Sequence, residues 1–308
     1  MSSIPKVTVC LTTYNGGDYL REQIESLVSQ KNIELSIIAG DDGSEDNTLE
    51  ILDEYFNAGL ISKVLLFDRI GSTGNFASLL QECTNVEFVA FADQDDIWDV
   101  NKLSILISEF SDNQPQLVFC GRDVLTNSTE IPVKLLTSGK RLGFKNALIE
   151  SSVPGNTIVI NKQAVDIVNK SLISQVKYFD AYLYLLLSAF GRVIYVDKPL
   201  VRYRIHSNNQ VGLGKKGMTE KLESIANYFR TAEIFESDFD NILTADKRQV
   251  LNEFLNSFRS SNFLLSVIQI LKSPVQRQKK AETLGWKILA VVLRLRKTIY
   301  FSSSIERK

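Results

Sequence analysis

Five aspartates fall in two short runs, Asp41-Asp42 and Asp93-Gln94-Asp95-Asp96. Each run follows an apolar stretch, ELSIIAG at 34–40 and EFVAFA at 87–92. A third polar cluster, TTYNGG at 12–17, follows KVTVCL at 6–11. Carboxylates at this density are costly unless a cation or hydrogen-bond donors compensate them. Their hard oxygens suit Mg²⁺ or Mn²⁺. A divalent ion held by carboxylates usually also holds a phosphate, so the pattern points to a nucleoside diphosphate bound with a metal. Plainer readings stand beside it. Asp-Asp-Gly-Ser is good turn and N-cap chemistry, and a single Asp-x-Asp recurs by chance in loops. The placing of three clusters at successive strand ends favours the chemical reading.

The clusters can meet only if the strands before them are parallel, because an open parallel sheet binds ligands at its carboxyl ends. The spacing predicts strands at 6–11, 34–39, 64–67 and 87–92, with helices at 19–29, after Ser44 and at 75–83. This alternation is the signature of a doubly wound sheet. Further on it predicts a helix at 101–110 and strands at 117–120 and 157–160. An apolar helix at 179–190 and strands at 192–196 and 200–203 follow, with 121–150 irregular. The glycine-rich stretch 212–217 reads as a linker. Beyond it the spacing is helical, at 219–235, 245–270 and 274–300. The fold class expected is α/β, a Rossmann-like, mostly parallel doubly wound sheet over 1–211, then a C-terminal α-helical region over 212–308.

Composition bounds the rest. With 308 residues, 44% hydrophobic and 23% charged, the chain is neither disordered, collagen-like nor a disulfide scaffold. A net charge of -1 gives no case for nucleic-acid binding. Charge is unevenly spread: residues 215–308 hold 17 Lys and Arg against 10 Asp and Glu. A basic end on an acidic body suits contact with anionic lipid, or else is a solvated helix surface. Cys10, Cys83 and Cys120 are far apart and read as buried free thiols in a reducing cytosol. The N-terminus reads as a first strand and not as a targeting segment. No stretch reaches the ~18 apolar residues of a membrane-spanning helix.

Taken in order, KVTVCLTTYNGGDYLREQIESLVSQ, ELSIIAGDDGSEDNTLEIL and EFVAFADQDDIWDVNKL resemble the family-2 glycosyltransferases, inverting enzymes of GT-A fold. The resemblance covers about residues 4–210. It looks closest to the bacterial branch that builds polysaccharide and O-antigen chains, which includes many rhamnosyltransferases. It implies that Thr12 and Tyr14 form the first nucleotide-binding loop, with Tyr14 beside the base. Asp42, with Asp41 adjacent, matches the position that bonds the pyrimidine. Gly74 and Asn75 match a segment passing the nucleotide, helped by Arg69. Asp93 would face the ribose or the metal's water shell and Asp95 would ligate the metal, with Asp96 its substitute in an alternative register.

Asp180 matches the family's catalytic base. Phe179, Ala181 and Tyr182 stand where the commonest form has His and two Trp, a departure that bears on the acceptor more than on the reaction. The alternative role for Asp180 is a helix cap. In the segment YRIHSNN at 203–209, Arg204 would pair with phosphate oxygens and His206 would be a metal ligand or a structural histidine. Residues 154–157 line the acceptor side or form a plain turn, and Trp98 reads as packing. The resemblance thus implies Mg²⁺ or Mn²⁺ as cofactor, a dTDP- or UDP-linked sugar as donor and a saccharide, expected to be lipid-linked, as acceptor. The location implied is cytoplasmic, peripheral on the inner membrane face through the apolar, basic-ended segment 285–297, or else that segment is an ordinary packing helix. Two other functions remain open. A nucleotidyltransferase needs a basic glycine-rich loop after the first strand, and 12–17 contains no Lys or Arg. A non-catalytic sugar-nucleotide or glycan-binding subunit would leave Asp180 dispensable.

Overall fold

Four strands, β1 (Lys6–Thr13), β2 (Glu34–Asp41), β3 (Lys63–Leu66) and β4 (Phe88–Asp93), run parallel in the order β3-β2-β1-β4. They belong to a computed structural model that describes residues 4–111, 113–125, 141–206 and 217–295. The chain divides into two units, residues 1–137 with 151–212, and residues 138–150 with 213–308. Helices α1 (Leu20–Val28), α2 (Thr48–Asn57) and α3 (Gly71–Glu82) connect the strands. Leu20, Ile24 and Leu27 of α1 and Ile51 and Leu52 of α2 are buried in one core with Val7, Val9 and Leu11 of β1. That is the α/β fold expected from the alternation.

The sheet then leaves the parallel pattern. It continues through β7 (Ile158–Asn161), antiparallel to both β4 and β6 (Gln116–Leu125), to β8 (Arg192–Arg204), which is parallel to β6. The two-residue β5 (Ile97–Trp98) closes the edge antiparallel to β8. The sheet departs from expectation at two places. The strand expected to stop at Cys120 runs on to Leu125, so 121–125 is not irregular. The strands expected at 192–196 and 200–203 are one strand, with register shifts opposite Gly121 that absorb the interruption at Pro199.

Helix α4 (Lys102–Ile107) and helix α6 (Lys162–Val168) flank this half. Helix α7 (Phe179–Phe190) is apolar on every side and buried along nearly its whole length, as such a helix must be. At its first turn Phe179 stacks on Phe76 of α3, with centroids 5.2 Å apart, and meets Phe91 of β4 edge-on at 5.0 Å. This aromatic contact pins the start of α7 beneath the end of β4. At its other end the chain turns into β8 through Gly191, whose N–H bonds Leu187 O. All three cysteines are buried and free, as expected.

The second unit holds α5 (Phe144–Ala147), α8 (Met218–Phe239), α9 (Ala245–Arg259), α10 (Phe263–Lys272) and α11 (Lys280–Leu295). Residues 141–150 cluster here and not with the sheet, because Glu150 takes hydrogen bonds from Arg277, Asn146 and the Gln278 N–H. The helix expected at 245–270 is two helices. Asn262 interrupts it, accepting the Leu265 N–H as the N-cap of α10. The helix expected from residue 274 begins at Lys280. Residues 212–216 of the expected linker and residues 296–300 of the last expected helix lie outside the described residues.

A Cβ at Gly191 would stand 2.0 Å from Pro115 O, a backbone atom. Gly191→Ala is therefore expected to destabilise the chain by ~1–3 kcal/mol, the usual cost of overpacking. Urea unfolding of the full chain checks this, and an unchanged midpoint contradicts it.

Candidate active site

In the register of the sheet, Thr12 of β1 lies opposite Asp93 of β4, and Thr13 opposite Asp41 of β2. The three polar clusters of the sequence therefore share one edge. Hydrogen bonds lock them together. Gln94 accepts the Tyr14 N–H at 2.7 Å and donates to Tyr14 O at 2.9 Å. A Cβ at Gly16 would stand 2.2 Å from Gln94 Oε1, so a larger residue there would displace the Gln94 amide from these two bonds. Thr13 Oγ1 donates to Asp41 at 2.8 Å, and Asp41 also accepts the Ser44 N–H and hydroxyl.

The carboxylates of β2 thus hold backbone. Asp41 is buried and closes its own turn. Asp42 accepts the N–H groups of Ile70 and Gly71, at 2.7 and 2.9 Å, and so caps α3 instead of the helix that follows it in sequence. Asn75 is buried on α3 and donates to Gly40 O at 2.8 Å. Tyr14 and Arg69 form an open rim, with the guanidinium 5.7 Å from the ring centroid and paired to Glu45.

The carboxylates of the β4 end stand in a different environment. Burial, then the neighbouring Asp95, Asp96 and Asp180 charges, pushes Asp93 well above the ordinary carboxylate range. Burial and Asp95 push Asp96 up to about 7, against a hydrogen bond from the Asn156 side chain, the Arg122 charge and the Arg204 N–H. Asp180 opens α7 and is half-buried. Burial raises it too, against hydrogen bonds from the Ala181 and Gly155 N–H groups and the Arg122 charge. The Arg122 charge on β6 thus acts on Asp93, Asp96 and Asp180 alike. Its guanidinium lies 4.2 Å from the Tyr203 ring centroid.

Asp95 also meets the end of β8. Its Oδ2 lies 2.8 Å from His206 Nε2, and its backbone O accepts Arg204 Nε at 3.1 Å. The His206 ring stacks on Tyr19 at 4.7 Å, and Arg204 lies over the same ring and pairs with Glu22. The structure therefore brings Asp93, Asp95, Asp96, Asp180, Arg204 and His206 to one strand edge beside Thr12. Residues 207–209 of the expected closing segment lie outside the described residues.

Two residues of this site carry no expectation from sequence. Arg122 lies in a stretch read as irregular, and only recognition of 116–125 as one long strand would have placed it beside Asp93. Lys102 looks like a surface lysine on α4. Instead it is fully buried, 2.9 Å above the Trp98 ring centroid and 2.6 Å from Asn156 O. Burial brings its amine down to about 7, against Cys120, Asp96 and Asp93. Trp98 is buried packing, as expected.

The donor set fits a hard divalent cation. Asp93 and Asp96 resist ionisation because the protein's own donors and Arg122 do not neutralise the cluster, and the oxygens offered suit Mg²⁺ or Mn²⁺. Among the described residues no group of three or more Asp, Glu, His or Cys side chains is already drawn together as a cation cage.

Residues 8–160 match the model of Glycosyl transferase family 2. Among curated proteins, the chain is 27% identical to a dTDP-rhamnosyl transferase of Shigella flexneri, over 92% of this chain and 100% of that one. It is 22% identical to an Escherichia coli UDP-Glc:alpha-D-GlcNAc-diphosphoundecaprenol beta-1,3-glucosyltransferase, over 51% of this chain and 60% of that one. Among solved structures, a mannosyltransferase from Pyrobaculum calidifontis, in complex with GDP-Man and Mn²⁺, shares the fold. Its TM-score is 0.60 at 13% identity, covering 97% of this chain and 88% of that one.

The raised carboxylates give a pH test. Asp93 and Asp96 bind protons more readily folded than unfolded, so their contribution to stability is present below the unfolded value of ~4 and is lost as pH rises through their raised folded values, about 7 for Asp96. Lys102 has the opposite sign, its contribution being lost as pH falls through about 7. The shift on adding Mn²⁺ isolates the carboxylates, since the ion binds only their ionised form. Millimolar Mn²⁺ should raise the melting temperature more at about pH 8 than at about pH 5.5. An equal shift at both pH values contradicts the site.

Proposed function

From the premise that residues 8–160 place the chain in Glycosyl transferase family 2, we propose that it is a metal-dependent inverting glycosyltransferase. It moves a sugar from a dTDP- or UDP-linked donor to a lipid-linked saccharide in the synthesis of a bacterial surface polysaccharide. The observation that carries this reading is the meeting of Asp180, from α7, with the Asp93–Asp96 run, from β4, around one arginine. A dTDP-linked rhamnose is supported by the full-length similarity to the Shigella flexneri enzyme. A UDP-linked hexose and a diphosphoundecaprenol-linked acceptor are supported by the name of the Escherichia coli relative. An acceptor of that kind would place the protein peripherally on the cytoplasmic face of a membrane. Among the described residues no helix is long and apolar enough to cross one.

The roles follow from the chemistry of each group. Tyr14 offers a half-exposed ring for the base, with Arg69 beside it. Asp41, Asp42 and Asn75 hold the backbone of the loops around the nucleotide. Asp95, with Asp93 and His206, would hold Mg²⁺ or Mn²⁺, and Mn²⁺ accompanies the sugar nucleotide in the Pyrobaculum calidifontis structure. The ion supplies electrostatic stabilisation of a leaving diphosphate. Arg204 is placed to add a charge-assisted bond to the phosphates.

Asp180 is the base. An acceptor hydroxyl is a weak nucleophile, so its proton passes to the Asp180 carboxylate as its oxygen bonds to the anomeric carbon. The bond from that carbon to the diphosphate breaks on the opposite face, and the leaving group takes the electron pair. The result is one displacement with inversion. Asp180 is held above the ordinary aspartate range by burial, so the acid limb of the rate profile should lie above the usual carboxylate region, with turnover rising as pH rises through it.

The test is Asp180→Asn, assayed by release of UDP or dTDP from the sugar nucleotide with a lipid-diphosphate-linked sugar as acceptor. Turnover should fall by at least ~10²-fold, the typical worth of a positioned base, while nucleotide affinity stays within about twofold. An active variant contradicts the assignment, and binding without turnover in the parent protein favours a binding subunit.

A further inference from the structure

Large apolar side chains that remain exposed are concentrated on two helices of the second unit. On α10 they run Leu264, Ile268, Leu271, and on α11 Leu284, Ile288, Leu295. Spacings of three, four and seven residues put each set on one helix face. The opposite faces bury Ser266 and Ile270 of α10 and Trp286, Ala290 and Leu293 of α11, and Trp286 packs on Phe254 and Phe258 of α9.

The two helices lie antiparallel. Lys287 Nζ of α11 donates to Leu271 O at the end of α10 and to Ser273 O, both at 2.8 Å. Arg294, near the end of α11, donates to Ser266 Oγ at 2.9 Å. Each helix turns its buried residues inward and its apolar stripe outward, so the neighbouring α10 and α11 both present leucine and isoleucine to solvent.

Charge says what covers it. Residues 263–295 contain six Lys and Arg against a single acid, Glu282. Glu282 is already paired to Lys279 at 3.3 Å. Lys272, at the end of α10, and Lys279 and Lys280, at the start of α11, are exposed at the same end of the antiparallel pair. An apolar face with a cationic rim complements an anionic bilayer. A second copy of the chain would instead bring another cationic rim to the same contact. At 16 residues, or roughly 24 Å, α11 is too short to span a bilayer and is suited to lie in its surface.

We propose that the α10–α11 face docks the protein on an anionic lipid bilayer, with the leucine and isoleucine stripe in the headgroup boundary and Lys272, Lys279 and Lys280 against lipid phosphates. This deepens the membrane placement proposed above and rests on it, but does not depend on which sugar is transferred.

The test is co-sedimentation of the full chain with vesicles of phosphatidylcholine alone or mixed with phosphatidylglycerol. The protein should bind the anionic vesicles at least about tenfold more tightly, and less so at high salt. Leu271→Asn with Ile288→Asn, both exposed sites, should weaken that binding by about tenfold or more. Lys272→Gln, Lys279→Gln and Lys280→Gln together should remove the preference for anionic lipid, which keeps the test open if the first variant folds poorly. UDP and dTDP binding on the same samples should be unchanged. If the parent chain binds no vesicles, the membrane placement falls and this face with it. If the parent binds and both variants bind equally well, the face is wrong while the placement stands. If the apolar variant only converts a dimer to a monomer in light scattering, the face is a contact between copies and the proposal is overturned. Loss of nucleotide binding by the parent chain would count against the transferase reading alone.

Discussion

Negative charge that the protein does not neutralise by itself is the constraint on which the first unit depends. Parallel strands β1, β2 and β4 end together, and their register places Thr12, Asp41 and Asp93 along one edge. The two acidic runs then meet different fates. Those at the end of β2 accept backbone N–H groups and hydroxyls, and become the struts of the loops. Those on β4 keep an excess of charge, which burial and mutual repulsion make unfavourable. A site that repels its own ionised form is prepared for a cation and for what a cation brings.

The antiparallel half of the sheet exists, in this light, to surround that charge. β6 brings Arg122, β8 brings Arg204 and leads to His206, and α7 brings Asp180. Each is placed by apolar packing that has nothing to do with chemistry. Phe179 stacks on Phe76 and meets Phe91 edge-on to fix the start of α7. Lys102 supports from below, its amine on Asn156 O, while the Asn156 side chain holds Asp96. A buried lysine and a buried aspartate bridged by one asparagine give the acidic loop a rigid floor, because leaving either partner unpaired would be strongly unfavourable.

Much of this was legible in the sequence where local rules act. The strand ends carrying Thr12, Asp41 and Asp93 followed from alternation of apolar runs and polar turns, and α7 from an unbroken apolar stretch. The acidic clusters announced themselves by density. What stayed hidden depends on distant partners. Nothing in the sequence around Arg122 says that β6 continues past Gly121, since its hydrogen-bond partner is β8, some eighty residues on. Lys102 looks like any surface lysine until Trp98 and Asn156 enclose it. The break at Asn262 was missed because the apolar periodicity runs through it, while the cap that causes it is a single side chain.

The most direct measurement is a calorimetric titration of UDP and of dTDP into the full chain, with and without Mn²⁺. If the β4 carboxylates form a metal-assisted diphosphate site, one of the two nucleotides binds with clear dependence on the ion, and Asp95→Asn removes that dependence. If neither nucleotide binds in the presence of Mn²⁺, or if binding is indifferent to the ion and to Asp95, the acidic edge is not a donor site and the central claim is wrong.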